Sequence, residues 1–433
     1  MRNFYIKKLG CDKNDVDADV MRGLLINSNF KEVKNPKRAD FVIINTCGFI
    51  KPAKEESIDA ILEAINLDHN PKVYVTGCLA ERYADELINE LPEVTSFIGI
   101  GHFDQIDKIV SLKNPNKIYN ENKNIGNKFL KRKVDNKPYA FVKIADGCNS
   151  KCSYCAIPSI KGSFQSRSIK DIVKEVKLLA EQGVKEINLV AQNTTAYGFD
   201  LNQKIGIVDL LKELLKIKEI KWFRLLYCYP GFIKEELIEL MSNEKRIAPY
   251  LDIPIQHSHP KILKSMKRGA ISLIKPEWFQ MLRNRINDLT LRTTLIVGFP
   301  GEGVEEFNHL VNFINEVKFD HLGVFAYSEE ENTPAADLVD KIDEEVAIER
   351  MNKIVEEQKF IAYNKKRNWL EKEVEVIVKE KLSRSKYEVR SRNNAPSIDA
   401  HFYIDSSDEL QVGEIIKVKI VEIDFDAFYG RLV

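Results

Sequence analysis

Over the first 112 residues, short apolar runs alternate with stretches of helical period. Phe4–Leu9, Phe41–Asn45 and Lys72–Thr76 read as buried strands, followed by helices near 16–28, 52–67 and 80–91. The order β-α-β-α-β predicts a parallel sheet with covering helices. Residues 113–137 are rich in Asn and Lys (Lys113-Asn-Pro-Asn-Lys, Asn120-Glu-Asn-Lys-Asn) and poor in apolar positions, the composition of a linker. A second series begins at Tyr139–Ile144 and continues at Glu186–Ala191, Trp222–Tyr229, Tyr250–Ile255, Thr293–Val297 and His321–Tyr327. Six strands separated by amphipathic helices point to an open or partial (β/α)6 barrel. Ser168 followed by Asp171 marks one helix start, and the pattern from Asp343 to Leu370 closes the unit. Beyond Trp369 the period changes to strict alternation. Five short strands near 373–379, 387–390, 401–404, 415–421 and 428–433 predict a small closed β-barrel of the oligonucleotide-binding kind. The expected fold class is therefore α/β, in four parts: an N-terminal parallel-sheet domain (1–112), a linker (113–137), a partial barrel (138–368) and a small β-barrel (369–433).

Length agrees with this division, since 433 residues correspond to about three domains. Lys+Arg and Asp+Glu both number 65, so no whole-protein field exists to hold a polyanion. No apolar run approaches the ~18 residues of a membrane span, and the opening residues Met1–Lys8 lack the apolar core of a signal peptide. A cytoplasmic location away from membranes is expected. Seven cysteines, an odd number in a long chain of this kind, argue against a disulfide framework and for metal or redox chemistry.

Cys148-Asn-Ser-Lys-Cys152-Ser-Tyr-Cys155 follows the first strand of the second series, so its C-x3-C-x2-C spacing lies in a strand-to-helix loop. Three thiolates within eight residues suit an iron–sulfur cluster, and a missing fourth leaves one iron open to an outside ligand. The competing reading is a zinc knuckle with a distant fourth ligand. Cys11, Cys47 and Cys78 each fall just after a predicted strand, and the carboxyl ends of parallel strands share one edge. Three sequence-distant thiols are thus expected to converge into a second three-cysteine cluster site, with Gly10 and Gly77 relieving crowding beside it. Cys228, within an apolar run, reads as core.

With both triples in view, the chain resembles the radical S-adenosylmethionine methylthiotransferases. Cys148-x3-Cys152-x2-Cys155 with Tyr154 is similar to their cluster loop, and the upstream triple and closing five-strand segment resemble their N-terminal cluster domain and TRAM barrel. Gly10-Cys-Asp-Lys-Asn14, Pro158-Ser-Ile-Lys-Gly162, Ala191-Gln-Asn-Thr-Thr-Ala-Tyr-Gly198, Tyr250-Leu-Asp-Ile-Pro-Ile-Gln-His257 and Ala395-Pro-Ser-Ile-Asp399 resemble the branch acting on small-subunit ribosomal protein S-twelve. Asp12, Asn193 and Asn332 depart from that branch, which more often has Pro, Asp and Gly there. The resemblance implies two [4Fe-4S] clusters, ligated by Cys11, Cys47 and Cys78 and by Cys148, Cys152 and Cys155, with S-adenosylmethionine on the open iron of the second. It also implies an external electron donor, a radical that removes a β-hydrogen from an aspartate, and sulfur delivered from or through the first cluster.

Strand-end candidates for contact with S-adenosylmethionine are Gln192, Arg224, Gln256, Gly298, Gly301 and Glu302, with Arg224 expected to meet the cofactor carboxylate. His257 and His259 form an H-x-H pair without further ligands, a weak metal site. From Lys365 to the end there are 13 Lys+Arg and 13 Asp+Glu, so the barrel lacks the positive excess of an RNA grip. That balance favours a protein partner over the tRNA substrate of the sister branch. A clustered patch such as Arg384, Lys386, Arg390 and Arg392 could still track a phosphate backbone, or be a solvated face of one strand.

Overall fold

A computed structural model describes residues 1–119, 125, 128–201 and 205–433. The N-terminal sheet is parallel throughout, its strands ordered Lys31–Glu32, Asn3–Lys8, Phe41–Thr46, Lys72–Gly77, Ser96–Ile98 and Ile118–Tyr119. Its central strand Phe41–Thr46 is buried at every position, as expected of a strand covered on both faces. The three shortest strands escape sequence reading because two or three residues carry no measurable period.

The second sheet runs Tyr139–Lys143, Glu186–Val190, Trp222–Leu225, Ile247–Asp252, Thr290–Val297 and His321–Ala326, side by side in chain order and all parallel. It is open, a partial (β/α)6 barrel. Three strands differ from their apolar runs by three residues or more, the fifth by starting early, at Thr290. The third ends at Leu225, because Tyr227 adopts φ 57°, and the fourth is shifted toward the amino end, spanning Ile247–Asp252. Cys228 therefore lies just past its strand, yet it is 1% exposed and belongs to the core.

The helix Asp12–Asn27 joins these two sheets. Its sequence is polar, yet most of it is buried, including Lys13, Asp17, Asp19 and Arg22. Val16 and Val20 share one apolar cluster with Phe141 and Val190 of the second sheet. The charges on the helix are met across the joint: Asp17 by Lys143 Nζ at 2.6 Å and Asp19 by Arg132 at 2.9 Å. Arg132 also reaches Glu175 at 2.8 Å, and Glu175 takes Arg167 at 2.6 Å. Residues 113–137 thus do more than link. Ile118–Tyr119 extends the first sheet, Phe129 is buried, and Arg132 is locked between the two units. A few apolar and charged residues suffice for this when their partners lie in other segments. The Asn120–Asn124 part of the linker expectation lies outside the described residues.

A closed barrel of Glu373–Lys381, Lys386–Ser391, His401–Asp405, Ala427–Leu432 and Ile415–Ile423, in that order, completes the chain after the helix Glu344–Arg367. It caps the amino-terminal edge of the second sheet. Asp399 is buried against Tyr250 Oη (2.8 Å) and Arg292 (2.8 Å), Asn393 bonds Asp288 O (2.7 Å), and Arg390 pairs with Glu186. Arg392 bonds Lys245 O. Two of the four cations in the candidate backbone-tracking run are therefore engaged at this joint.

Replacing Lys143 with Met strands Asp17 in the interior without its cation, at a cost of about 3–5 kcal/mol. We expect Lys143→Met to lower the free energy of urea unfolding by that amount, and the added change Asp17→Leu to restore most of it.

Candidate functional site

The first triple is built at the carboxyl edge of the N-terminal sheet. Cys11 caps the helix Asp12–Asn27, Cys47 follows the strand Phe41–Thr46, and Cys78 opens the helix Cys78–Glu90. Asn14 stitches two of these ends together, its Nδ2 donating to Leu9 O and Thr46 O at 3.0 Å each. Ser57 clamps Cys47 by accepting from its N–H (3.0 Å) and donating to its carbonyl (2.9 Å). Gly10, at φ 83°, lets the chain pass Cys47: a Cβ there would stand 2.8 Å from the Cys47 Cβ. Burial, then the neighbouring Cys78, pushes the Cys47 thiol up to about 12, with Cys11 adding to the rise. Burial likewise raises Cys78. All three cysteines are free thiols.

In the second triple, Cys148, Cys152 and Cys155 occupy a loop held from several sides. Ser153 N–H donates to Met266 O (3.0 Å), its hydroxyl to Ser265 O (2.8 Å), and its carbonyl accepts from Ala335 N–H (2.8 Å). Tyr154 packs beside Ile262, Met266 and Phe299. Arg268 directs Nη1 to Cys152 Sγ at 3.5 Å while its guanidinium lies 4.5 Å from the Tyr229 ring centre. Burial raises the Cys155 thiol to about 12; the Ile157 N–H works against this, and Cys152 and Cys148 add to it. Cys47, Cys78 and Cys155 are thus held as thiols by burial and by neighbouring sulfur, an arrangement relieved when a metal takes the sulfurs as thiolates, while Cys11 is exposed at the edge of its triple.

The segments that carry the two triples meet. Cys78 packs against Ala156 and Ile160, which lie immediately beyond Cys155. Lys161, the last residue of the helix Ile157–Lys161, stands 3.8 Å from Asp146, and Asp146 accepts from Gln192 Nε2 at 2.7 Å. On another side Tyr227 donates to Asp12 (3.2 Å), with Lys13 Nζ 3.5 Å from its ring centre. Glu330, beyond the last strand of the second sheet, ties down Lys54 (3.0 Å) and Arg82 (2.8 Å) of the N-terminal unit. None of Lys161, Asp146, Tyr227, Arg268 and Glu330 was singled out by sequence as a site residue. Only Lys161 carried a signal, as part of the Pro158–Gly162 segment.

The cofactor candidates separate. Gln192 lies at the mouth, and its Oε1 is buried without a partner. Gln256 holds φ 71° and bridges Leu295 through its backbone. Gly301 has open space around it. Three others are placed otherwise than expected. Arg224 is fully buried, bonds Glu186 (3.1 Å) and stacks over Tyr250 (4.6 Å), toward the closing barrel and away from the cysteines. Gly298 makes room for the helix Glu344–Arg367, since a Cβ would lie 2.3 Å from that of Ala347. Glu302 is spent on Gly298 N–H (3.0 Å) and Arg350 (2.7 Å), with His257 Nε2 at 3.3 Å from its second oxygen. His257 is thus a buried partner of Glu302, and its Nδ1 accepts from His259 N–H.

Among the described residues, no group of three His, Cys, Asp or Glu side chains is arranged to hold a single metal ion. Iron–sulfur clusters take one thiolate per iron around a larger core, and two all-sulfur triples match that donor chemistry. Residues 3–99 match the Uncharacterized protein family UPF0004, residues 142–314 the Radical SAM superfamily and residues 372–433 the TRAM domain. The chain is 43% identical to the ribosomal protein uS12 methylthiotransferase RimO of Clostridioides difficile, over 97% of this chain and 96% of the relative. It is 41% identical to RimO of Aquifex aeolicus, over 97% and 95%. The chain belongs to the RimO family. In fold, this RimO-family chain is also similar to the radical S-adenosylmethionine methyltransferase TsrM from Kitasatospora setae, at TM-score 0.54 and 15% identity over 77% of each chain.

The Gly298 contact yields a test. We expect Gly298→Ala to destabilise this RimO-family protein by roughly 2–4 kcal/mol, from the left-handed backbone and the overpacking against Ala347. Ala347→Gly should recover part of that loss in thermal unfolding.

Proposed function

We propose that this protein methylthiolates the β-carbon of an aspartate in ribosomal protein uS12 by radical C–H activation. The observation that carries the reading is the packing of Cys78 of one triple against Ala156 and Ile160, the segment that follows the other, in a RimO-family chain. Cys11, Cys47 and Cys78 would hold one [4Fe-4S] cluster, and Cys148, Cys152 and Cys155 the other, with S-adenosylmethionine beside it. When bound, these groups supply the electron, the 5′-deoxyadenosyl radical that removes an unactivated hydrogen, the sulfur route and the methyl group.

The chain's own residues orient and shield. Asp146 accepts from Gln192 Nε2, which leaves the buried Oε1 without a partner and free to accept from a cofactor donor. Arg268 lies over Tyr229 beside Cys152, a cation next to the sulfur that ligation requires as thiolate. Asn193 accepts from Ala196 N–H (3.2 Å) and Thr195 (3.0 Å), so the amide that stands where an acid is usual shapes the loop. Tyr227 and the Glu330 ion pairs close two sides of the joint against water, which a radical site must exclude. Gln256 and Gly301 remain candidates for contact with S-adenosylmethionine. Arg224, Gly298 and Glu302 are turned to other partners, Glu186, Ala347 and Arg350, while Arg224 Nη1 and Nη2 and Glu302 Oε2 keep no hydrogen-bond partner.

An external electron donor is needed. The neutral closing barrel, with Arg390 and Arg392 engaged at its joint, supports a protein over a nucleic-acid partner. No helix among the described residues is long and apolar enough to cross a membrane, and a ribosomal protein substrate fits a cytoplasmic place of work.

The reconstituted, reduced protein should add a methylthio increment to uS12, read by mass spectrometry, and none to tRNA lacking that modification. Modification of the tRNA alone would overturn the assignment. Cys152→Ala should abolish both product formation and reductive cleavage of S-adenosylmethionine. Cys47→Ala should abolish methylthiolation while cleavage persists, and each variant should lose about half of the bound iron.

A further inference from the structure

The closing barrel and the second sheet share an enclosed group of charges that does not balance. Glu186 opens the strand Glu186–Val190, and arginines take both of its oxygens: Arg224 Nε bonds Oε1 at 3.1 Å, and Arg390, which comes from the barrel, bonds Oε2. Arg390 also turns Nη1 to Asn394 O (2.9 Å). The other nitrogens of the pair, Arg224 Nη1 and Nη2 and Arg390 Nε, are buried without a hydrogen-bond partner. Asn188 stands in register with Arg224 on the neighbouring strand, and neither its Nδ2 nor its Oδ1 finds a partner. Glu186, Asn188 and Arg224 are fully buried, and Arg390 is 5% exposed.

Donors outnumber acceptors among these unpartnered atoms, and among the described residues Glu186 is the one carboxylate that bonds either arginine. The group therefore lacks a negative charge. Burial pulls the Arg224 guanidinium below its ordinary range; Glu186 opposes this, and Arg390 adds to it. Asp252 and Asp399, further along the sheet, are engaged elsewhere, by Arg292, the Tyr227 N–H and the Tyr250 hydroxyl. A water molecule would satisfy hydrogens but bring no charge, and buried charges are held in pairs. The Tyr250 ring, 4.6 Å from the Arg224 guanidinium, and the Tyr139 ring, 5.3 Å from that of Arg390, close two sides. Such enclosure favours a monatomic anion, trapped as the joint forms, over an organic acid.

We infer that a single halide ion, chloride under ordinary conditions, is bound between Arg224, Asn188 and Arg390 and ties the closing barrel to the second sheet. Arg224 and Asn188 supply donors from the sheet and Arg390 a donor from the barrel, so the ion belongs to the joint and to neither part alone. The site lies at the opposite end of the second sheet from the cysteines, so its test succeeds or fails independently of their assignment.

The full-length, iron-loaded protein is exchanged anaerobically into gluconate buffer, and thermal unfolding is followed as chloride replaces gluconate at constant ionic strength. The unfolding temperature of the parent should rise by about 2 °C or more between trace and about 300 mM chloride, the response of a site filled only in the folded state. Asn188→Asp, nearly isosteric with the parent, fixes a carboxylate beside the ion's place. It should unfold at a higher temperature than the parent in gluconate and lose most of the response to chloride. Arg224→Met leaves Glu186 and Arg390 as a balanced pair and should lose that response as well. Crystals grown with bromide in place of chloride should give an anomalous peak beside Arg224 Nη1 and Nη2. A parent that does not respond to chloride overturns the inference, as does an Asn188→Asp variant that keeps the parent's full response or a bromide data set without that peak. Should Arg224→Met fail to fold, Asn188→Asp and the bromide crystals decide.

Discussion

A buried chain of charges, Asp17 to Lys143 to Asp146, is the constraint on which the rest of the site depends. Lys143 ends the first strand of the second sheet, and its ammonium bonds a carboxylate of the helix that Cys11 caps. The placement of Cys11 relative to the second sheet is thereby set by a 2.6 Å contact rather than by the covalent chain between them. Asp146 extends the same chain in two directions. It fixes the Gln192 amide, and it receives the N–H of Gly147, the residue before Cys148. One carboxylate thus bears on the N-terminal unit, on the start of the cluster loop and on a strand-end amide at the mouth. Ionic chains of this kind contribute little net stability compared with apolar packing of equal volume. Their value is geometric, because a low-dielectric interior tolerates only arrangements that satisfy every member.

Much of this was legible beforehand, and the reasons differ from element to element. Phe41–Thr46 and Glu186–Val190 are buried along their whole length, so apolar runs announced them. The closing barrel announced itself through period two. The gathering of Cys11, Cys47 and Cys78 was legible because parallel strands put their carboxyl ends on one edge. What the sequence did not disclose is where long polar side chains turn. Arg224 sits on a strand as expected, but its partner Glu186 and their neighbour Arg390 come from positions 38 and 166 residues away, and they draw it toward the amino edge. Glu302 and Gly298 look like a cofactor loop by composition, yet the helix Glu344–Arg367 had a prior claim on both through Arg350 and Ala347. Polar residues spaced like a linker became structural in the same way, since Arg132 needs only Asp19 and Glu175 to be held.

The closing barrel sits at the opposite end of the second sheet from the cysteines, and that placement bears on how a protein substrate is handled. Its contacts run through residues at or just before strand starts: Glu186, Lys245, Asp288 and Thr290. Asp399 reaches further in, to Tyr250 and Arg292, so the Ala395–Asp399 segment acts as a plug at the amino edge. A barrel anchored there cannot itself carry the reacting carbon to the carboxyl edge, where the segments that carry the triples meet. Whatever the barrel grips, the modified residue has to sit on a part of the substrate that extends across the sheet's length to the mouth. The charge balance changes little: Arg390 and Arg392 are drawn into the joint, but so is Asp399, and the outer face keeps no excess of cations from a segment that began neutral. Affinity for a phosphate backbone scales with the number of cations available to it. Anchoring the barrel through its arginines fixes it to the core with two charged groups that would otherwise face solvent.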